Sequence, residues 1–485
     1  MKKTILALLL VLALCLPCFV GCDTGTNNDE KTSDTMSSTE TDNTEFPDAS
    51  EGLEYKSKTN NTCEVSGIGT CTDSEIVIPS ISPDGDSVTS IGYEAFYDCT
   101  SLTSVVIPDS VTNIGISAFS GCSSLASVVI PDSVTNIGNF AFFECSSLTS
   151  VAIPDSVTSI GSMAFYNCAV LRDVVVPSSV ISIGDWVFKG CNNLEYNVFD
   201  NAYYLGNDAN PYIILIKSRD FAISTCEINA ATKFISEYAF DNCIELTSIA
   251  IPNRVVSIGS CAFRGCTNLK NVSLSSALKM INSGTFLSCE NLVTINIPHG
   301  IEIIESSAFK GCSALASLTI PDSITSIGLT AFEGTSIRFS EYSNAYYLES
   351  GTNPYFALID TKNTEFSVCQ INDNTKIIAD YAFSGCDEII EVTVPNSVKH
   401  IGDGAFMNCK RLESASIGQG VREIGISAFE GCTKLTSVTF KKTEGWRIMV
   451  TVKNGTFQAS ISELSDASIA ATHLKEKHYA VWYCD

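Results

Sequence analysis

A cysteine returns at one fixed point of a 23-residue phrase, at Cys99, Cys122, Cys145, Cys168 and Cys191, then at Cys243, Cys266, Cys289, Cys312, Cys386, Cys409 and Cys432. Thr335 takes the same place in a copy one residue short. Thiols in such a row could form disulfides or hold a metal. Stacked copies would set equivalent Cβ atoms about 4.8 Å apart, beyond the roughly 3.5–4.5 Å that a disulfide spans. No Cys-x-x-Cys pair or Cys/His cluster surrounds them, so no metal is expected. What remains is a small buried hydrophobe in an inner corner, its thiol a weak donor to a loop carbonyl. Cys63 and Cys71, in CEVSGIGTC, could close a small loop near the start of the fold. Cys226 and Cys369 occupy matching places in two inserts and are expected to be buried singly.

Other chemistry is sparse. His299, His400, His473 and His478 form no metal spacing. There is no Gly-x-Ser-x-Gly elbow and no glycine-rich phosphate loop. Asp109, Asp132 and Asp155 follow proline at the same point of each copy. Such a row could share a calcium ion, but aspartate after proline ordinarily bonds turn backbone, and Ser178 breaks the row. No catalytic residue, metal or cofactor is expected, and the chain does not read as an enzyme. With 29 Lys+Arg against 54 Asp+Glu the net charge is −25. That excludes nucleic acid or an anionic membrane face as the main partner, since both demand basic patches.

The elements that carry these residues follow from the phrase itself. Between Leu125 and Ile130, LASVVI alternates as a short strand with Leu125, Val128 and Ile130 inward. Pro131 ends it, because proline supplies no ladder donor. Asp132-Ser133 turns the chain and Val134 to Ile137 is a second extended piece. Gly138 permits a bend, and NFAFFEC makes about one helical turn or tight coil that carries Ala141 and Phe142 into the core. One copy cannot bury its own apolar face, whereas stacked copies can. The expected fold is a repeat solenoid of short parallel strands with turns and short helical segments, capped at both ends. Thirteen rungs follow from the twelve aligned cysteines and Thr335.

The blocks IPDSVTSIG and AFxxCSSLTSV, as in Ile153 to Val174, resemble those of the BspA-type leucine-rich repeat family of bacterial and protist surface proteins. The resemblance covers roughly residues 76–440. It implies a leucine-rich-repeat stack and adhesion to host proteins or to other cells.

The period breaks twice, near residues 199–240 and 342–383. NAYYLGNDANPYIILI and NAYYLESGTNPYFALI are two copies of one insert, read as a hairpin or extended rung, with Asn210-Pro211 and Asn353-Pro354 as turns. Tyr203, Tyr204, Tyr346 and Tyr347, with Tyr212 and Tyr355, invite a carbohydrate- or peptide-binding reading. The plainer reading is that one tyrosine of each pair fills the core of the wider rung and the other shields the break.

At the start, Lys2 and Lys3 precede the apolar run Ile5 to Val20, too short and wrongly flanked to stay in a membrane as a helix. Phe19-Val20-Gly21-Cys22 resembles a bacterial lipobox, with Phe19 in place of the usual leucine, so residues 1–22 read as a lipoprotein signal and Cys22 as the lipidated residue. Residues 23–52 are an acidic tether with too little apolar matter to order. Residues 53–98 read as an N-terminal cap with the first rung, 99–440 as the solenoid, and 441–485 as a C-terminal cap. In that last part RIMVTVKNGTFQASIS is a hairpin turning at Asn454-Gly455, LSDASIAATHLKEKH a helix capped by Ser465 or Asp466, and YAVWYC a strand.

The remaining candidate site is a surface. Its outward strand residues are Thr103, Ser104, Ala126, Ser127, Thr149, Ser150, Arg172 and Asp173, resuming at Thr247, Ser248, Lys270 and Asn271. The expected function is a lipid-anchored cell-surface protein that recognises a protein or glycan ligand on a host or neighbouring cell. The competing expectation is a spacer or coat protein of the envelope without a defined ligand.

Overall fold

The structure, a computed structural model, describes residues 49–452, 455–460, 464–476 and 479–484. Cys22 and the tether up to residue 48 lie outside the described residues, as does Asn454. Each copy of the phrase forms one turn of a β-solenoid of about 16 turns with almost no helix.

Every regular rung has three sides. The first carries the expected strand: Glu75–Val77, Ser104–Val106, Ser127–Val129, Ser150–Ala152 and Asp173–Val175 form one parallel sheet. Residues pair with their equivalents in the adjacent copy, as Ser104 with Ser127 and Ser127 with Ser150. The second side carries two-residue strands, Asn113–Ile114, Asn136–Ile137, Ser159–Ile160 and Ser182–Ile183, also parallel and in register. The bend between the second and third sides explains the recurrent glycine. A Cβ on Gly138 would lie 2.6 Å from the carbonyl carbon of Gly115 in the rung below. Close backbone approach, not a left-handed φ, requires glycine there.

The third side corrects the expectation of short helical segments. Residues such as 139–145 are turns, because each rung holds two left-handed positions four residues apart, for example Phe140 at φ 57° and Glu144 at φ 57°. A helix cannot pass through them. The backbone bonds to the next rung instead: Phe119 N donates to Ala141 O at 2.8 Å, Phe142 N to Ala164 O at 2.8 Å and Phe165 N to Val187 O at 3.0 Å. The helix among the described residues is Ala467–Glu476, with Asp466 Oδ1 accepting from Ser468 N at 2.9 Å and Ile469 N at 3.2 Å as an N-cap.

Burial follows the apolar pattern of the phrase. Val111, Ile114, Ala118, Phe119, Cys122 and Leu125 are fully buried, as are their equivalents in the next rung. Each such aliphatic or phenylalanine contributes roughly 1.5–3 kcal/mol gross. The phenylalanines stack nearly face to face: Phe96, Phe119, Phe142 and Phe165 lie 5.1, 5.3 and 5.2 Å apart between ring centroids. Parallel ladders run from Phe240 to Phe332 and from Phe383 to Phe429.

The cysteines form a second ladder. Cys122 Sγ donates to Phe96 O at 3.1 Å, Cys145 to Phe119 O at 3.1 Å, Cys168 to Phe142 O at 3.2 Å and Cys191 to Phe165 O at 3.0 Å. Cys266, Cys289, Cys312, Cys409 and Cys432 repeat the contact. Where no regular rung precedes, the partner changes: Cys243 meets Ser218 Oγ at 3.4 Å and Cys386 meets Thr361 Oγ1 at 3.7 Å. Thr335 instead donates within its own rung, to Phe332 O at 2.8 Å. Cys63 and Cys71 are free thiols, and Cys226 and Cys369 are buried singly.

Each insert is a three-stranded antiparallel meander. Asn197–Phe199, Ala202–Leu205 and Ile214–Ser218 form the first, and Ser340–Tyr342, Ala345–Ser350 and Asn353–Thr361 the second. The Asn353-Pro354 turn is displaced: Asn353 pairs with Ser350 and Pro354 lies inside the strand, so Gly351 and Thr352 make the turn. Gly351, at φ 54°, has the conformation this needs. Each meander buries both faces. Leu205 and Ile214 join the apolar cluster below, while Tyr204 and Leu215 join the cluster above. Likewise Leu348 and Ala357 face one way, and Tyr347 and Leu358 the other. Alternation along a strand delivers neighbours to opposite sides, so the insert is a partition across the core.

Burial pushes the Cys145 and Cys312 thiols up to about 12. At pH 8 an alkylating reagent is expected to modify the half-exposed Cys99 and Cys261 in the folded chain, and Cys145, Cys289 and Cys312 only on unfolding. Because the unfolded thiols ionise near their ordinary value and the folded ones do not, stability present at neutral pH falls as the pH rises above that value towards 12. Peptide mapping after timed alkylation reads both statements, and equal labelling of Cys145 and Cys261 would dismantle the ladder.

Candidate binding surface

The outward residues of the first side come together as the strand alternation requires. Thr103, Ala126, Thr149, Ser150, Arg172 and Asp173 are exposed, and Ser104 and Ser127 half-exposed, on one five-stranded sheet. Thr247, Ser248, Lys270 and Asn271 are exposed on a second block, Ser248–Ala250, Asn271–Ser273 and Thr294–Ile295. A third block is Glu391–Val394, Ser414–Ile417 and Ser437–Phe440. The first partition separates the first two blocks, so the surface is two patches and a third, not one plane.

Several hydroxyls on this surface are already engaged. Thr103 Oγ1 donates to Ser74 O at 2.9 Å and Thr149 Oγ1 to Ala126 O at 3.3 Å, each tying one rung to the one before. Arg172 Nη2 pairs with Glu195 Oε1 at 2.7 Å. Beside the hydroxyl row runs an apolar row at the last outward position of each strand. Val106, Val129 and Val175 are 49%, 52% and 39% exposed, with Ala152 between them. Strand alternation predicts that outward placement.

The tyrosine pairs divide. Tyr204 and Tyr347 are fully buried, their hydroxyls accepting from Asn229 N at 3.4 Å and Asn372 N at 3.3 Å. Burial raises both phenols well above the ordinary value. Tyr203 and Tyr346 are half-exposed. Tyr203 lies 5.3 Å from Tyr196, and Lys217 Nζ sits 5.4 and 5.8 Å from the two ring centroids. Tyr346 lies 6.3 Å from Phe339. Among the described residues no three His, Cys, Asp or Glu side chains converge as a metal ion would need, and no helix is long and apolar enough to cross a membrane.

A stacked-strand solenoid whose polar features lie on its surface defines the class: a leucine-rich repeat protein, a fold typical of binding or scaffold proteins. The chain belongs to the BspA type leucine-rich repeat family, whose profile matches residues 74–210, 223–350 and 361–485 in six copies. The match runs past residue 440 and takes in the hairpin, helix and final strand. Among solved structures, a leucine-rich repeat protein of T. pallidum is 29% identical, over 45% of this chain and 88% of its own, with a TM-score of 0.33. A leucine-rich cell surface protein of Faecalibacterium prausnitzii is 27% identical over 81% and 94%, with a TM-score of 0.33. The pneumococcal vaccine antigen PcpA is 17% identical over 81% and 87%, with a TM-score of 0.31. No curated protein matches the chain.

The division of the tyrosines sets an expectation. Tyr204→Ala and Tyr347→Ala should each cost about 3–5 kcal/mol, as large aromatic truncations in a core do. Tyr203→Ala and Tyr346→Ala should stay within about 1 kcal/mol. Denaturant midpoints measure both, and equal losses would mean that the outer tyrosines hold the partition too.

Proposed function

We propose that the protein is an exported, lipid-anchored recognition protein whose first side docks a protein ligand on a host or neighbouring cell. One observation carries the reading. Rows of small hydroxyls and exposed valines, Ser104, Ser127 and Ser150 beside Val106 and Val129, repeat in register along the first block. A flat face with a repeating apolar row suits an extended partner that makes many weak contacts. Leucine-rich repeat proteins generally bind other proteins, which supports the choice. Lipid anchoring rests on Cys22, its apolar approach and the acidic spacer behind it. The segments before residue 98 and after residue 441 cover the first and last rungs in this reading.

A spacer or coat role is the second reading. The observation favouring it is that Thr103 and Thr149 spend their hydroxyls on the neighbouring rung, which strengthens the stack and leaves less to offer a ligand.

Screening the purified chain against extracellular matrix proteins and cell-envelope extract separates the two. Saturable binding is expected, and Thr149→Arg with Ser150→Glu should weaken it at least about tenfold, or about 1.4 kcal/mol, while far-UV circular dichroism stays unchanged. A uniformly negative screen moves the assignment to the spacer.

The anchor has its own test. Cells expressing the chain and fed radiolabelled palmitate should label it and retain it in the membrane fraction, and Cys22→Ser should abolish both. Unlabelled wild-type protein in the medium would refute lipidation.

A further inference from the structure

The first partition leaves a defect in the third side. In a regular rung the N–H groups of alternate turn residues are accepted by the next rung: Phe165 N by Val187 O at 3.0 Å and Asn167 N by Lys189 O at 2.8 Å. The rung of Phe188 has no such successor, because the meander follows. Ser218 N serves the rung beyond, donating to Ala239 O at 2.7 Å. Among the described residues, the N–H groups of Phe188 and Gly190 meet no acceptor. Both line a cleft of about 590 Å³ between the second and third sides, with Ile214, Phe234 and Tyr196 among its apolar lining. That volume is in the usual range for ligand sites.

Three carboxylates and three cations line this notch, and two of the cations stand outside ion pairs. Asp241 is held by Arg264, Nε to Oδ1 at 2.7 Å and Nη2 to Oδ2 at 2.8 Å. Asp185 Oδ2 accepts from Ser260 Oγ at 3.2 Å. Burial pushes the Glu237 carboxyl up to about 7. Lys189 and Lys217, both exposed, have no carboxylate within ion-pair distance among the described residues. Aromatic faces hold them instead: Lys189 Nζ lies 4.3 Å from the Trp186 ring centroid and 5.3 Å from that of Tyr238, and Lys217 Nζ sits over Tyr196 and Tyr203. Such contacts fix an ammonium while leaving its N–H groups free to donate. The indole Nε1 of Trp186 is also buried without a hydrogen-bond partner among the described residues.

The second insert repeats the backbone and reverses the charge. Phe332 and Gly334 again end a run of regular turns, and their N–H groups again meet no acceptor among the described residues. Between them stands Glu333, paired with Lys310 at 2.7 Å, where the first notch has Lys189. Asp360 is the cross-strand partner of Tyr346 just as Lys217 is the partner of Tyr203. The first notch therefore presents two ammonium groups outside ion pairs where the second presents carboxylates, on a chain of net charge −25.

We propose that this first notch receives a short extended acidic peptide of a partner protein. Its backbone carbonyls accept from Phe188 and Gly190, its acidic side chains meet Lys189 and Lys217, and an apolar side chain enters the cleft beside Phe188. Two open donors on alternate residues match two alternate carbonyls of a peptide, as Val187 O and Lys189 O match Phe165 N and Asn167 N one rung earlier. A sugar carboxylate would use the lysines but has no reason to match that spacing. The face is tested at Thr149 and Ser150 and the notch at Lys189 and Lys217, so the failure of one and of the other are separate results.

The test measures fluorescence anisotropy of a fluorescein-labelled peptide alternating Asp and Phe, with the intact chain. The counterpart alternating Lys and Phe and an oligogalacturonate serve as competitors. Saturable binding of the acidic peptide, resisted by both competitors, is expected. Lys189→Glu with Lys217→Asp should lower its affinity at least about tenfold with an unchanged circular dichroism spectrum. Glu333→Lys with Asp360→Lys in the otherwise native chain should add a second equivalent of bound peptide. Absence of saturable binding, equal displacement by the oligogalacturonate, or indifference to the reversal at Lys189 and Lys217 would each overturn the proposal.

Discussion

The structure depends on one constraint: the third side of every rung cannot satisfy its own backbone. Its alternate N–H groups point along the axis, and only the carbonyls of the next copy meet them, as when Phe119 N finds Ala141 O and Gly121 N finds Phe143 O. Two left-handed residues per rung, such as Ser117 and Gly121, aim the groups that way. For a non-glycine residue that conformation costs about 1–2 kcal/mol. The cost is tolerable because the same geometry lays one phenylalanine on the next and brings each thiol onto a carbonyl of the rung below. Backbone bond, ring and thiol share one repeat length. A copy of another length would lose all three together, which is why the phrase is kept so faithfully.

The copy that does depart shows the coupling. Thr335 stands one residue short of the full phrase, and its hydroxyl turns back to Phe332 O and does not reach Phe309 O. Its rung is the last before the second partition. The opposite strategy appears at Cys243 and Cys386, the first thiols of the ladder after each partition, where Ser218 and Thr361 at the ends of the meanders supply the missing oxygen. A partition thus finishes the column above it more fully than the column below. It also replaces a continuous core by segments, since its strands give Ile214 to one cluster and Leu215 to the next.

The regular rungs were legible in the sequence because each position repeats a dozen times with one apolar requirement. Leu125, Val128, Ile130, Ala141, Phe142 and eleven of the twelve aligned thiols are buried where the phrase puts them, with Cys99 in the first rung half-exposed. The outward strand residues were legible for the same reason, since alternation leaves them no other face. The turn conformation was not. The first left-handed position holds Ser117, Phe140, Met163 and Trp186 in successive rungs, so the sequence there looks like a short helix, but the second holds Gly121, Asn167 and Gly190, a glycine and asparagine signal that could have found the turn. The Asn353-Pro354 turn misled because proline near the start of a strand, opposite a register shift between Leu348 and Ser350, is as acceptable as in a turn. The cleft was invisible. Lys189 and Lys217 are separated by the whole entry to the meander, and what joins them is a rung that is absent.

That absence also bears on where variety can enter such a chain. Along the regular stack an outward residue has an equivalent about 4.8 Å away on either side, so bulk or like charge in one rung is felt by two others. Small hydroxyls and cross-rung ion pairs such as Lys279 with Glu302 and Lys410 with Asp387 are what that spacing permits. At a partition the neighbour is missing and the restriction lapses. There one backbone design carries Trp186, Lys189 and Lys217 in the first copy and Thr330, Glu333 and Asp360 in the second. The stack therefore supplies length and rigidity, while individuality is confined to the breaks, where the same interruption that costs backbone bonds also opens room for side chains to differ.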